Sequence, residues 1–305
     1  MRAPICPKSG EGTNRPKKHW LGRGASLMKK ILYAVLATLP MVLGSAEAFG
    51  QVTIVAHRAI YDLTLASSTT RSGISGADGR MVMELTGSAC EGWSVNFRRV
   101  MELRPNEGDV RLLDTQIASW ESGDGLSMRM TQKEYIDNGI QSDTKLSAEF
   151  PRRGEAGRGH TDLPTPGDFD LSPGTIFPVD HQLRLMTTAE ANGARDISYV
   201  FDGSSGTKVF KAISFIGKRK ESEELPAESP KTIAELARVP SWPVSISFFD
   251  VDKDDSSGEE LPSYQVSFTL YQNGVAGNLV MDYGDFSVAG KLSGLEFMKQ
   301  SDCHS

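Results

Sequence analysis

The chain has 305 residues, with 33 Lys/Arg against 39 Asp/Glu and a formal net charge of −6. The first 48 residues carry eight of the basic and two of the acidic side chains; without them 25 basic face 37 acidic residues, a net charge near −12. An acidic chain of this kind argues against nucleic acid as a partner and against electrostatic binding to anionic lipid.

Residues 28–48 read as a secretory signal. Lys29 and Lys30 give the positive n-region, residues 31–43 the apolar h-region, and Ala46-Glu47-Ala48 the small-x-small cleavage pattern, with the cut after Ala48. The apolar run of 13 residues is short of the ~20 that a comfortable membrane span needs. The alternative is an uncleaved anchor. Residues 1–27 are basic, rich in Pro and Gly and without apolar periodicity; they read as an upstream extension, with the true start at Met28. Beyond residue 48 no stretch is apolar and long enough to cross a bilayer, so a single periplasmic β domain is expected over residues 49–305, not membrane-spanning once processed.

Cys6 leaves with the leader, and Cys90 and Cys303 remain. In an oxidising compartment these two are expected to form one disulfide, two buried free thiols being the alternative. The chain-entropy account gives about 5 kcal/mol for closing so long a loop, before native strain is subtracted. His57, His160, His181 and His304 show no metal-ligand spacing with the cysteines, and no metal or cofactor is expected.

Along the mature chain, apolar residues recur with a period of two. Ala59, Tyr61, Leu63 and Leu65 begin the pattern, and the Gly- and Ser-rich run 67–79 reads as a loop. Met81, Met83 and Leu85 resume it, then Trp93, Val95 and Phe97, and later Leu126, Met128 and Met130; residues 109–119 suit a strand without a clean period. Asn138-Gly139 marks a hairpin turn before a largely polar strand to Phe150. Residues 152–173, rich in Gly and Pro and carrying His160, Asp162, Asp168 and Asp170, read as a loop. A helix follows over 179–192. Pro178 suits its first turn, Asp180 its positive end and Gly193 its C′ position, while Val179, Leu183 and Met186 form a stripe to lie on the sheet. A second short helix starts at Ser229-Pro230 and carries Ile233 and Leu236. Strands read at 197–201, 209–216 and 244–248. They are followed by a terminal meander through Tyr264, Val266, Phe268 and Leu270, a turn at Asn273-Gly274, and strands out to Leu292. About a dozen strands at short spacing mark an all-β sheet system with one main helix.

Several groups of residues then carry a resemblance. These are His57 with Tyr61-Asp62-Leu63; Cys90-Glu91-Gly92-Trp93; Gly174-Thr175-Ile176-Phe177-Pro178 with His181; Trp242-Pro243-Val244; and Tyr271-x-Asn273-Gly274-Val275, Asp282-Tyr283-Gly284-Asp285-Phe286 and Cys303. On them the whole mature chain resembles the cell-envelope integrity EipB family of alphaproteobacterial periplasmic proteins. The resemblance implies a strongly curved, spiral antiparallel sheet of about 12–14 strands forming an incomplete barrel, similar to lipoprotein carriers of the LolA/LolB type, and a disulfide carried to Cys90 and Cys303. It also implies a role in envelope integrity and a link to a periplasmic tetratricopeptide-repeat protein. It implies no catalytic residue.

Catalytic and metal chemistry find little foothold. No Gly-x-Ser-x-Gly occurs. Asp180 and His181 are adjacent, so on a helix they point about 100° apart and cannot orient each other as a dyad. Asp250, Asp252 and Asp254 match the first ligands of a calcium loop, but Asp255 stands where the turn needs Gly and Leu261 where a bidentate Glu belongs, which favours a solvated loop. Met81, Met83, Met128 and Met130 fill a core or, with Phe177, Leu183 and Met186, line a concave surface for a lipid-like or peptide ligand. The reading is a non-enzymatic envelope protein that binds a protein partner or a lipid or lipoprotein segment. The alternatives are a hydrolase using residues 152–181 and a scaffold without ligand.

Overall fold

A computed structural model describes residues 52–222, 230–252, 261–300 and Cys303. The upstream extension 1–27, the signal segment 28–48 and residues 253–260 of the acidic loop lie outside the described residues. Gly50–Ser305 form one compact unit. Its strands are β1 (His57–Ser68), β2 (Ile74–Ser88), β3 (Gly92–Pro105), β4 (Arg111–Glu121), β5 (Ser127–Ile136), β6 (Gly139–Glu149), β7 (Gly157–Leu163), β8 (Gly167–Leu171) and β9 (Thr175–Ile176). After helix α1 (Pro178–Glu190) come β10 (Arg195–Val200), β11 (Phe210–Ile216), helix α2 (Lys231–Leu236), β12 (Ser241–Asp250), β13 (Tyr264–Tyr271), β14 (Ala276–Asp282) and β15 (Phe286–Phe297).

All fifteen strands belong to one sheet, ordered 8-7-6-5-4-3-2-1-15-14-13-12-11-10-9, and every pairing is antiparallel except β9 with β10. The first and last strands meet in the middle of the sheet, where β1 pairs with β15. The middle of the chain supplies both edges. Laid flat, fourteen inter-strand steps of ~4.8 Å would separate those edges by roughly 65 Å. Yet only Ser172, Pro173 and Gly174 join β8 to β9, and four Cα steps reach ~15 Å at most. The sheet therefore curls almost full circle into a barrel-like form.

No ladder closes the gap between β8 and β9; side chains do. Phe150 and Leu171 from the β8 side pack with Phe177 and Phe201 from the β9–β10 side, together with Met128, Met130, Leu146 and Ala148. Phe150 and Phe177 have ring centroids 5.1 Å apart, and Phe169 and Phe201 5.3 Å. Two further clusters fill the hollow. One surrounds α1, whose Val179, Leu185, Met186 and Ala189 pack on Trp93, Trp242, Val244 and Leu270. The other gathers Tyr61, Met81, Met101, Leu279 and Val288 around Ile233 and Leu236 of α2. Each large apolar side chain so buried contributes ~2 kcal/mol.

The structure corrects the reading at five places. Residues 152–173 are not a loop: they contain the hairpin β7–β8. Its inward positions include Gly157 and Gly159, where a Cβ would fall 2.4 Å from the Phe150 ring and 2.0 Å from the Phe169 ring, so no apolar alternation marks the strand. The run 67–79 is mostly strand as well, for Gly76 and Gly79 sit inside β2. The hairpin at 138 turns one residue earlier, on Asp137 and Asn138 with φ of 51° and 64°, and Gly139 already pairs with Ile136. The left-handed residue closing α1 is Asn192 (φ 57°), not Gly193; the Asn192 N–H donates to Ala189 O and the Gly193 N–H to Thr188 O, a Schellman pattern. At Asn273-Gly274 only Gly274 has positive φ (86°), as in a three-residue hairpin loop.

Candidate functional site

The register lays the inward side chains out in rows across the sheet. One row runs Ala59, Met83, Phe97, Ile117 and Gln132 from β1 to β5. The next runs Tyr61, Met81, Arg99, Thr115 and Glu134. A third, nearer α1, runs His57, Leu85, Val95, Ser119 and Met130. Met83, Phe97, Arg99 and Ile117 are only half-buried, whereas Met130 and Leu85 are buried. The hollow is therefore plugged towards α1 and less filled along the rows of Met83 and Arg99.

Arg99 is the cation of that less-filled region, with Glu134 further along the same row. It donates from one terminal nitrogen to Tyr283 Oη at 2.8 Å and from the other to Thr115 Oγ1 at 3.4 Å. Tyr283 follows β14, four strands from β3 in the sheet order, so this hydrogen bond is a chord across the curve. The Nε of Arg99 is buried without a hydrogen-bond partner.

Beneath α1 lies a polar floor. Phe177 at the N-cap offers no side-chain cap, and Glu121 of β4 supplies one instead: its carboxyl, 2% exposed, accepts from the Val179 N–H at 3.0 and 3.1 Å. Burial pushes Glu121 up to about 8, against the backbone N–H groups of Val179 and Asp180 that pull it down; the Asp180 charge adds to the rise. His181, one turn along, is buried and held down at about 4 by loss of solvent, which outweighs the attraction of Asp196. Arg184 donates to Asp196 at 2.6 Å, and Asp196 accepts from Ser198 at 2.6 Å. At the sheet centre His57 donates from Nδ1 to Val55 O at 2.7 Å in its neutral form, and burial lowers its pKa.

The candidate lining residues do not share one surface. Met128, Met130 and Phe177 lie in the cluster closing the sheet edges, Met186 and the half-buried Leu183 in the cluster around α1, and Met81 in that around α2. Met83 is the half-buried one on the sheet itself. Sequence reasoning missed Leu185 in the α1 stripe, and it missed Glu121, Arg99 and Thr115, which sit in strands whose inward positions mix polar and apolar residues.

The side chains of residues 152–181 do not converge. His160 faces outward on β7, 2.6 Å from Asp168 through Nδ1 and 3.7 Å from Asp162 through Nε2, in an outer trough of about 780 Å³ that Trp120 and Arg129 also line. His181 is buried on the inner side. Among the described residues no three His, Cys, Asp or Glu side chains are placed to hold a metal ion, and no helix is long and apolar enough to cross a membrane.

Cys90, in the β2–β3 turn, and Cys303 are bonded, with sulfurs 1.99 Å apart and a sequence separation of 213. The bond holds the tail beyond β15 against the β2–β3 turn, beside Ser88, whose Oγ accepts from the N–H groups of Cys90 and Glu91.

Comparison with known proteins adds three findings. A family model described as EipB-like matches residues 48–299. The cell envelope integrity protein EipB of Brucella abortus (strain 2308) is 37% identical over 255 residues, 83% of this chain and 88% of that protein. The crystal structure of a β-barrel-like protein of a domain of unknown function from Brucella abortus superposes with a TM-score of 0.73 at 35% identity, covering 81% of this chain and all of that one.

Proposed function

The chain belongs to the EipB-like family, and from that premise we propose that it supports cell-envelope integrity from the periplasm, as a binding protein rather than an enzyme. What it binds, on this reading, is the acyl part of a lipid or lipoprotein, taken against the inward face of the sheet. A tetratricopeptide-repeat protein of the same compartment is the proposed partner, and the processed chain, cut after Ala48, is the working form.

One observation supports the reading above others. Met83, Phe97 and Ile117 stand side by side on the inward face and remain half-exposed although α1, α2 and the residues around Phe201 fill the rest. A closed core at native density would not leave three neighbouring apolar side chains part-covered. Met83 adds an unbranched, adaptable side chain, which suits an acyl tail.

Native mass spectrometry of protein taken from its own periplasm tests this. The expected result is a co-purifying lipid mass, lost when Met83 and Ile117 are changed to Gln, together with sensitivity to detergent when the protein is depleted. A single ligand-free mass and an intact envelope on depletion would leave only a scaffold.

A further inference from the structure

The outward face of β10 to β12 carries exposed apolar side chains on adjacent strands. β10 alternates strictly: Asp196, Ser198 and Val200 are buried, and Arg195, Ile197 and Tyr199 face out. Ile197 is 43% exposed, Tyr199 46%, and Phe215 on the neighbouring β11 57%. Cross-strand pairing sets Ile197 beside Ile213 and Arg195 beside Phe215. Lys211 then stands next to Phe249 of β12. Single exposed apolar residues need no explanation, but a contiguous aromatic and aliphatic patch on adjacent strands does.

Charge distinguishes this patch. The outward positions of β10, β11 and β12 hold Arg195 and Lys211 and no Asp or Glu. Both cations lie over rings of the patch, Arg195 at 5.9 Å from Phe215 and Lys211 at 5.0 Å from Phe249. Some outward cations elsewhere face carboxylates, as Arg80 does Asp62 and Arg98 does Asp114, and Arg129 lies over the Trp120 ring.

The backbone beside it is open too. β9 pairs with β10 only at Tyr199 and Val200, so among the described residues no strand pairs with residues 195–198 on that side. Such an edge accepts an added strand through main-chain hydrogen bonds, with side-chain contacts selecting which one. Asp196, pointing inward, and Arg195 on the edge discourage indiscriminate pairing.

We propose that the uncovered edge of β10 and the outward face of β10–β12 dock an extended, acidic segment of a partner protein. The segment adds as a strand along residues 195–198, sets apolar side chains on Ile197, Tyr199 and Phe215, and sets a carboxylate on Arg195. A membrane surface would use the rings and cations but leave the strand edge unused. The proposal does not depend on what the hollow holds.

The probe is a dye-labelled, end-blocked heptapeptide, Glu-Thr-Val-Thr-Val-Thr-Glu, titrated into the processed chain and read by anisotropy. Two control peptides accompany it: one with both Glu changed to Lys, and one N-methylated on alternate amides. Binding of the acidic peptide, about tenfold weaker binding of the Lys peptide and loss on N-methylation are expected. Phe215→Ser should weaken binding about tenfold, and Arg195→Glu should reverse the charge preference. Both variants change exposed side chains and should keep the melting temperature, which separates lost docking from lost folding. Equal binding of the two charged peptides, or binding indifferent to Phe215→Ser, overturns the proposal. So does binding to phosphatidylglycerol vesicles without peptide binding, or a dimer of this chain that Phe215→Ser dissociates. The lipid mass tested above is read from the opposite face and stands or falls separately.

Discussion

Glu121 and His181 give the protein opposing pH dependences within one helical turn. The Glu121 carboxyl has a folded pKa of about 8 against 4.5 in the open chain, so its contribution is full below 4.5 and lost as pH rises through 8. The His181 imidazole has a folded pKa of about 4 against 6.5, so the native state binds fewer protons and stability is lost as pH falls from 6.5 towards 4. The two windows overlap between 4.5 and 6.5, where they offset each other, so stability should be level there and fall as pH rises from 6.5 to about 8. Glu121→Gln keeps an acceptor for the Val179 N–H and removes the charge that burial disfavours. The expected outcome is a melting temperature that no longer falls between about pH 6.5 and pH 8, and an acid-side fall that begins nearer pH 6.5 because the His181 limb is no longer offset. A pH profile by differential scanning calorimetry checks it; an alkaline limb as steep as in the unchanged protein would mean that Glu121 does not titrate as described.

At the scale of elements, glycine decides where strands come close and where sequence reading fails. Gly79 of β2 faces Met101 of β3, and a Cβ there would fall 2.3 Å from Val100 O and 2.8 Å from Met101 Cα, both backbone atoms that cannot swing aside. Gly79→Ala should therefore cost about 1–3 kcal/mol, from forced separation of two paired strands. Urea unfolding measures it, and a midpoint unchanged from the parent would show that the pair relaxes freely. The same residue explains what could be read beforehand. Strands that alternate large apolar and polar residues, such as those through Tyr61, Trp93 and Val266, were legible, as were the helix at Pro178 and the short helix at Ile233. Of the three strands missed, β7 uses glycine where others use leucine and β9 is only two residues long. β8 does alternate Phe169 and Leu171 with Asp168 and Asp170, but it is short and set in a Gly- and Pro-rich run. Periodicity reports side-chain size, and in β7 the inward space beside Gly157 and Gly159 is taken by Phe150 and Phe169. The candidate lining residues were read from the same pattern. It gives the side of the sheet but not the curvature that divides them among three clusters. Arg99 and Glu121 left no signal, because a charged residue in a strand reads as outward until the register shows otherwise.

For the whole molecule, the question is what holds the sheet curled. Two restraints act at the open seam: the three-residue connection from Leu171 to Thr175, and the cluster in which Phe150, Leu171, Phe177 and Phe201 meet. They can be separated, because the first and last strands lie side by side at the centre of the sheet. There the Met298 N–H donates to Ala56 O, and the Gln300 side chain donates to Ile54 O. A circular permutant of residues 49–305 whose ends are joined by a Gly/Ser linker, opened between Pro173 and Gly174, cuts only the connection. It keeps every strand pair and the Cys90–Cys303 bond. Phe201→Ala in the parent cuts only the cluster, removing a side chain that is fully buried, at a cost of about 3–5 kcal/mol. If either restraint alone keeps the seam shut, each single change should leave binding of an apolar dye low, while the two together raise it well beyond their sum. That excess is the coupling expected when two restraints act on one opening. A permutant that binds dye as strongly alone as with Phe201→Ala would mean that the connection holds the curl by itself. A double variant with no excess would mean that the curvature is set within the sheet, by its twist and its close glycine pairs, and that its edges only follow it.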